Sequence, residues 1–140
     1  MAGFGEHARW FEFTSDSFDH ASELPQEYNA GNRFYGRDVA EFIATGLGAS
    51  GFETSFFDED WGWMARAWRP ERPRLEIAVY HDLEEESERT WQLMVRSLET
   101  DRWLGVIPRF REVEADPQAI GTLEGVFREA GMPLEQRAPG

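Results

Sequence analysis

In residues 74–83, Leu75, Ile77, Val79, His81 and Leu83 alternate strictly with Glu76, Ala78, Tyr80 and Asp82. A period of two belongs to an extended strand with two unlike faces and is out of step with the 3.6-residue turn of a helix. Such a strand cannot stand alone. It needs neighbours to bond its backbone and a second layer over its apolar face, and the remaining residues must supply both.

Neighbouring strands are legible on either side. Residues 61–69 set Trp61, Trp63, Ala65 and Ala67 against Met64, Arg66 and Trp68, and the turn Arg69-Pro70-Glu71-Arg72-Pro73 leads on to residue 74. Residues 52–57 predict a further strand, and residues 8–14 another, with Phe11 and Phe13 opposite Trp10 and Glu12. In residues 89–98, Trp91, Leu93 and Val95 keep strand spacing, whereas Trp91, Met94, Val95 and Leu98 keep helical spacing. A strand is preferred because it completes a meander with the two before it. Residues 99–115 read as a connection containing Trp103, Leu104, Val106 and Ile107.

Two helices provide the covering layer. The first is predicted over residues 33–47, capped by Asn32, with Phe34, Val39, Phe42, Ile43 and Leu47 on one stripe. The second is predicted over residues 117–130, with Asp116 as cap, Pro117 at the first helical position and Gly131 as the stop. Its inward stripe is Ile120, Leu123, Val126 and Phe127. The order β-α-β-β-β-β-α implies an α+β fold, an antiparallel five-stranded sheet with two helices packed on one face. At 140 residues the chain fits a single domain, with residues 1–7 and 133–140 expected to fray and residues 15–32 forming a long loop.

Composition narrows the chemistry. Cysteine and lysine are both absent, and all 14 positive charges are arginines, so disulfides, thiolate metal sites, Schiff-base lysines and phosphate-loop lysines are excluded. The first residues lack the basic and apolar regions of a secretion signal, and no apolar run approaches the ~20 residues that span a bilayer, so the expected location is cytoplasmic. The net charge of −13 gathers in patches: Glu12 to Glu27, then Glu53 to Asp60, then Asp82 to Glu88. Such a field repels phosphate backbones and anionic membranes, and attracts a basic protein.

Gly46-Leu47-Gly48-Ala49-Ser50-Gly51 spells a dinucleotide-binding pattern, but that motif must follow a strand and open a helix. Here it closes a helix and leads into a strand. The glycines are therefore expected to end the helix, not to hold phosphate.

The run Asn32-Arg33-Phe34-Tyr35-Gly36, followed by Asp38-Val39-Ala40-Glu41-Phe42 and by Glu59-Asp60-Trp61-Gly62-Trp63, resembles an uncharacterised bacterial protein family. The likeness covers roughly residues 29–80. It implies one small α+β domain and carries no activity, cofactor or site residue with it.

The leading functional expectation is a non-catalytic acidic interaction protein, for instance of the toxin-neutralising immunity type. Asp58, Glu59, Asp60, Glu84, Glu85 and Glu86 would face a basic partner, and Trp68 would supply an aromatic anchor. A second expectation is a small-molecule pocket between sheet and helices, using Trp61, Trp63, Tyr80 and His81 and rimmed by Tyr28, Tyr35 and Arg37. A third is a hydrolase or isomerase in which a carboxylate orients His81. No residue is assigned a catalytic role. The acids at 58–60 lack the spacing of a calcium loop, and His7, His20 and His81 lack zinc spacing, so neither metal nor cofactor is expected.

Overall fold

A computed structural model describes residues 6–15, 18, 36–59, 62–81, 90–103 and 107–137. In chain order they form β1 (Arg9–Thr14), α1 (Arg37–Ala49), β2 (Glu53–Glu59), β3 (Gly62–Trp68), β4 (Arg74–His81), β5 (Thr90–Trp103), β6 (Ile107–Val113), α2 (Pro117–Glu129) and β7 (Glu135–Arg137). Every strand pairing is antiparallel. The sheet runs β2-β3-β4-β5-β1-β7, with β6 added to β5. Among the described residues the fold is α+β with an antiparallel sheet and two helices, but the sheet has seven strands and not five.

The two additional strands escape hydropathy for different reasons. In β6, Arg109, Phe110 and Arg111 are all exposed, so neither face has to be apolar and no period-two signal is written. In β7 all three residues are exposed, and the strand is held by backbone pairing with β1 and by Arg137 Nη2 at 2.8 Å from Glu12 Oε1. The last residues of the chain therefore include a strand where fraying is expected from sequence.

β5 is the spine. It is 14 residues long and pairs with β4 along one side from Trp91 to Leu98. Ser97 and Leu98 pair with β4 and also with Val113 and Glu112 of β6, so β6 must lie on the side away from β4. That is the side of β1, which takes Thr90 to Val95. The two shorter strands share one edge end to end, and His7 N donates to Glu112 Oε2 at 3.0 Å where they meet. The helical spacing within β5 arises because both faces are buried: Trp91, Leu93 and Val95 on one, Met94 and Leu98 on the other.

One buried cluster gathers residues of both helices with strand residues that the register places on a single face of the sheet. It includes Ile43 and Leu47 of α1, Leu123 and Phe127 of α2, and Trp63, Ile77, Leu93 and Phe11 from the strands. Phe127 packs its ring 4.7 Å from Phe13 and 5.1 Å from Phe42. Ala65 and Ala67 are fully buried on β3, which α1 contacts, so small side chains sit where a helix lies over the sheet.

Helix boundaries follow local chemistry. Asp116 caps α2 as expected, its Oδ1 accepting from Gln118 N at 3.0 Å. α1 begins later than its apolar stripe implies, at Arg37, with Gly36 as a cap of φ 112 that makes no side-chain bond. A β-carbon at Gly36 would stand 2.8 Å from Val79 Cγ1. Asn32 and Phe34 lie outside the described residues.

The glycine pattern also has a structural cause. A β-carbon on Gly46 would clash with Val126 Cγ1, so Gly46 is where α1 and α2 approach each other. Gly51, with φ 101, makes the turn out of α1. A helix interior normally gains about 1 kcal/mol from Gly→Ala, but here the added methyl meets a short, stiff side chain. Gly46→Ala should instead lower stability by about 1–2 kcal/mol in urea unfolding, and Val126→Ala in the same chain should remove that penalty. Gly121→Ala on α2, where nothing lies within 4 Å, should be stabilising.

Candidate functional site

The face of the sheet away from that cluster is not simply polar. Across β2, β3, β4 and β5 the register aligns Ser55, Arg66, Glu76 and Arg96 in one row. A parallel row aligns Phe57, Met64, Ala78, Met94 and Trp10. Opposite charges on directly facing strand positions attract, and here two arginines flank one glutamate on the central strand.

Glu76 has no exposed surface. Its Oε2 accepts from Arg66 Nε at 2.7 Å and lies 3.1 Å from Arg74 Nη2, while its Oε1 accepts from Arg96 Nε at 2.9 Å and Nη2 at 2.6 Å. An isolated buried carboxylate is prohibitively costly, but one saturated by guanidinium donors is tolerated. The arginine stems also do the covering, since long cationic side chains lie along a surface with their heads in water.

Charge around Glu76 is not balanced. Arg66 and Arg74 share the same carboxylate oxygen, and among the described residues neither has a second acid within 4.0 Å. Among the described residues Arg74 Nε is buried without a hydrogen-bond partner, and the Arg74 guanidinium lies 4.4 Å over the ring of Phe110. Burial lowers the Arg74 pKa; Glu76 acts in the opposite sense, and Arg66 and Arg96 add to the lowering.

Arg66 and Arg74 open into a cavity of about 570 Å³, lined also by Trp68, Arg72, Thr100 and Phe110 among others. Ser55 and the exposed acids Glu71 and Glu99 also line it. Phe110 is 56% exposed, the one large apolar side chain so exposed among the described residues. Trp68 is held in place by its Nε1, which donates to Glu53 Oε2 at 2.5 Å. Arg72 lies 3.5 Å from Asp116, and Arg111 pairs with Glu99 at 3.1 Å. Among the described residues no three acidic or histidine side chains are grouped to hold a metal ion.

The residues singled out from sequence fall in several places. Asp58 and Glu59 end β2, His81 ends β4, and Arg37 opens α1 as an exposed residue. Trp63 is a core residue, 6% exposed. Tyr80 points from the opposite face of the sheet and stacks on Trp10 with centroids 6.5 Å apart, so the sheet separates it from Trp63. Tyr28, Tyr35, Asp60, Trp61, Glu84, Glu85 and Glu86 lie outside the described residues. Of those that are described, Trp68 alone lines the arginine groove. Arg66, Glu76 and Arg96 carry a usable signal, because alternation alone puts all three on the non-core side of adjacent strands. Phe110 carries none, since its strand is not written in hydropathy.

No family model matches this chain, and neither a curated protein nor a solved structure is significantly similar to it. The chemistry of the site must therefore be read from its own residues.

Removing the charge of Glu76 would leave the arginines facing one another. Breaking a buried pair costs ~3–5 kcal/mol, and the partial exposure of Arg66 and Arg74 reduces this. Glu76→Gln should lower unfolding stability by about 2–4 kcal/mol. A loss below about 0.5 kcal/mol would class the network with ordinary surface pairs.

Proposed function

We propose that this chain is a non-catalytic binding domain whose open-face groove receives a small anionic ligand. The observation that carries the reading is one buried carboxylate shared by three arginines, two of which, Arg66 and Arg74, line a cavity of about 570 Å³. Glu76 holds the guanidiniums in place before any ligand arrives, so little ordering cost remains to be met on binding. Guanidinium donors suit carboxylate and phosphate oxygens, and they do not exchange protons at neutral pH, which favours recognition over acid–base turnover. The groove is a local exception in a chain of net charge −13.

Thermal unfolding with matched anionic, neutral and cationic small molecules tests this. An anion at a hundred times its Kd adds about 2.7 kcal/mol, which raises the midpoint by roughly 5–10 °C. Arg72→Gln, an exposed change in the lining, should shrink that shift. Equal stabilisation by neutral and cationic compounds would remove the reading.

A second reading rests on topology. β1 ends opposite the start of β5, β2 and β3 turn between Glu59 and Gly62, and β4 ends at His81, all at one end of the sheet. The connecting sequences that leave this end contain Asp16, Asp19, Glu23, Glu27, Asp60, Asp82, Glu84, Glu85, Glu86 and Glu88. This supports docking of a basic partner protein there, as in a toxin-neutralising immunity protein. A lysine-rich peptide should then bind at low salt and be released as salt rises, and the triple change Glu84→Lys, Glu85→Lys and Glu86→Lys should abolish binding. Binding indifferent to those changes would exclude this end as the site.

A further inference from the structure

We infer that the ligand of the groove is a small planar aromatic molecule bearing a single carboxylate. The inference rests on the reading that the groove takes an anion, and it adds the charge and shape of that anion.

Charge sets the first limit. Arg66, Arg72 and Arg74 line the groove together with Glu71 and Glu99. Among the described residues of the lining, three arginines stand against two carboxylates, an excess of one positive charge. One negative charge neutralises it. A phosphate chain or a dianion would exceed it and would meet Glu71 and Glu99, both exposed in the lining.

Shape sets the second. Phe110 is largely exposed, with the Arg74 guanidinium 4.4 Å from its ring centroid. Trp68, tethered through its indole N–H to Glu53, lines the same space. Aromatic faces left to water beside guanidinium planes suit a flat, apolar ring. Cavities of ~300–1,000 Å³ hold such ligands, and this one measures about 570 Å³. The carboxylate then bonds the unused N–H groups of Arg66 and Arg74, which have only Glu76 as an acidic partner among the described residues. Its ring rests against Phe110 and Trp68. Thr100, also in the lining, offers a hydroxyl to any polar substituent.

Isothermal titration of the full chain with four probes tests this: 2-naphthoate, the neutral 2-naphthalenemethanol, inorganic phosphate and pyrophosphate. The expected result is that 2-naphthoate binds at least about tenfold more tightly than the other three. Phe110→Ala, at an exposed position, should weaken 2-naphthoate about five- to tenfold, and Arg74→Met about tenfold or more. Circular dichroism confirms that each variant is folded, and Arg72→Gln serves as the charge variant should Arg74→Met unfold. Tighter binding of phosphate or pyrophosphate, lost with the same arginines, would overturn the aromatic carboxylate while leaving the anion groove standing. Unchanged naphthoate affinity in Phe110→Ala would overturn the ring contact. Equal binding of the neutral alcohol, or no binding by any probe, would overturn both the ligand class and the anion groove.

Discussion

Glu76 sits at the centre of β4, the strand whose alternation most constrains the fold, and on the face opposite the main buried cluster. A two-layer α+β domain ordinarily leaves such a face to water. Here Arg66 and Arg96 reach in from the adjacent strands and Arg74 from the start of β4, and the carboxylate disappears beneath them. The pairing ties β3, β4 and β5 together through side chains as well as backbone. It also fixes where the arginines point, so the groove beside them inherits its shape from an interaction that is itself structural.

The same arrangement accounts for the mixed character of the open face. Next to the ionic row, Met64, Ala78 and Met94 are buried in register, with Trp10 and Tyr80 stacked beside them. This face therefore has a small apolar centre of its own. Its polar part is concentrated toward the turn between β3 and β4, near Trp68, Arg72 and Arg74. The acid-rich connections leave the opposite end of the strands.

Much of this architecture was legible in the chain, and the exceptions share a cause. Alternation identified β3 and β4 because one face of each meets the helical layer, and Asp116 with Pro117 marked the start of α2 because capping is local chemistry. β6 and β7 left no such trace, since their residues are largely exposed and their positions are set by distant partners, β5 and β1. The candidate site was less legible. Trp68 stood out as a tryptophan near the end of its strand, and it does line the groove. The role of Glu76 depends on which residues of β3 and β5 stand opposite it, and that register is a tertiary property. Trp63 and Tyr80 looked alike as aromatic candidates, but strand parity places them on opposite faces.

The division of one edge of β5 between β1 and β6 bears on how the chain is made. β1 carries Trp10, Phe11 and Phe13, and its ladder partners are Thr90 to Val95 and then Glu135 to Arg137, so both neighbours belong to the later part of the chain. At ~5–20 residues per second on the ribosome, this aromatic strand waits roughly ten seconds for its first partner to emerge. During that interval its edges are bare and its apolar face is uncovered, which is when unpaired strands aggregate. Pairings so distant in sequence also slow folding, because the intervening loop must close before any contact rewards it. Protein of this topology is therefore most vulnerable before synthesis is finished, and a holding chaperone that shelters the first fifteen residues would protect it more than any added stability of the finished sheet.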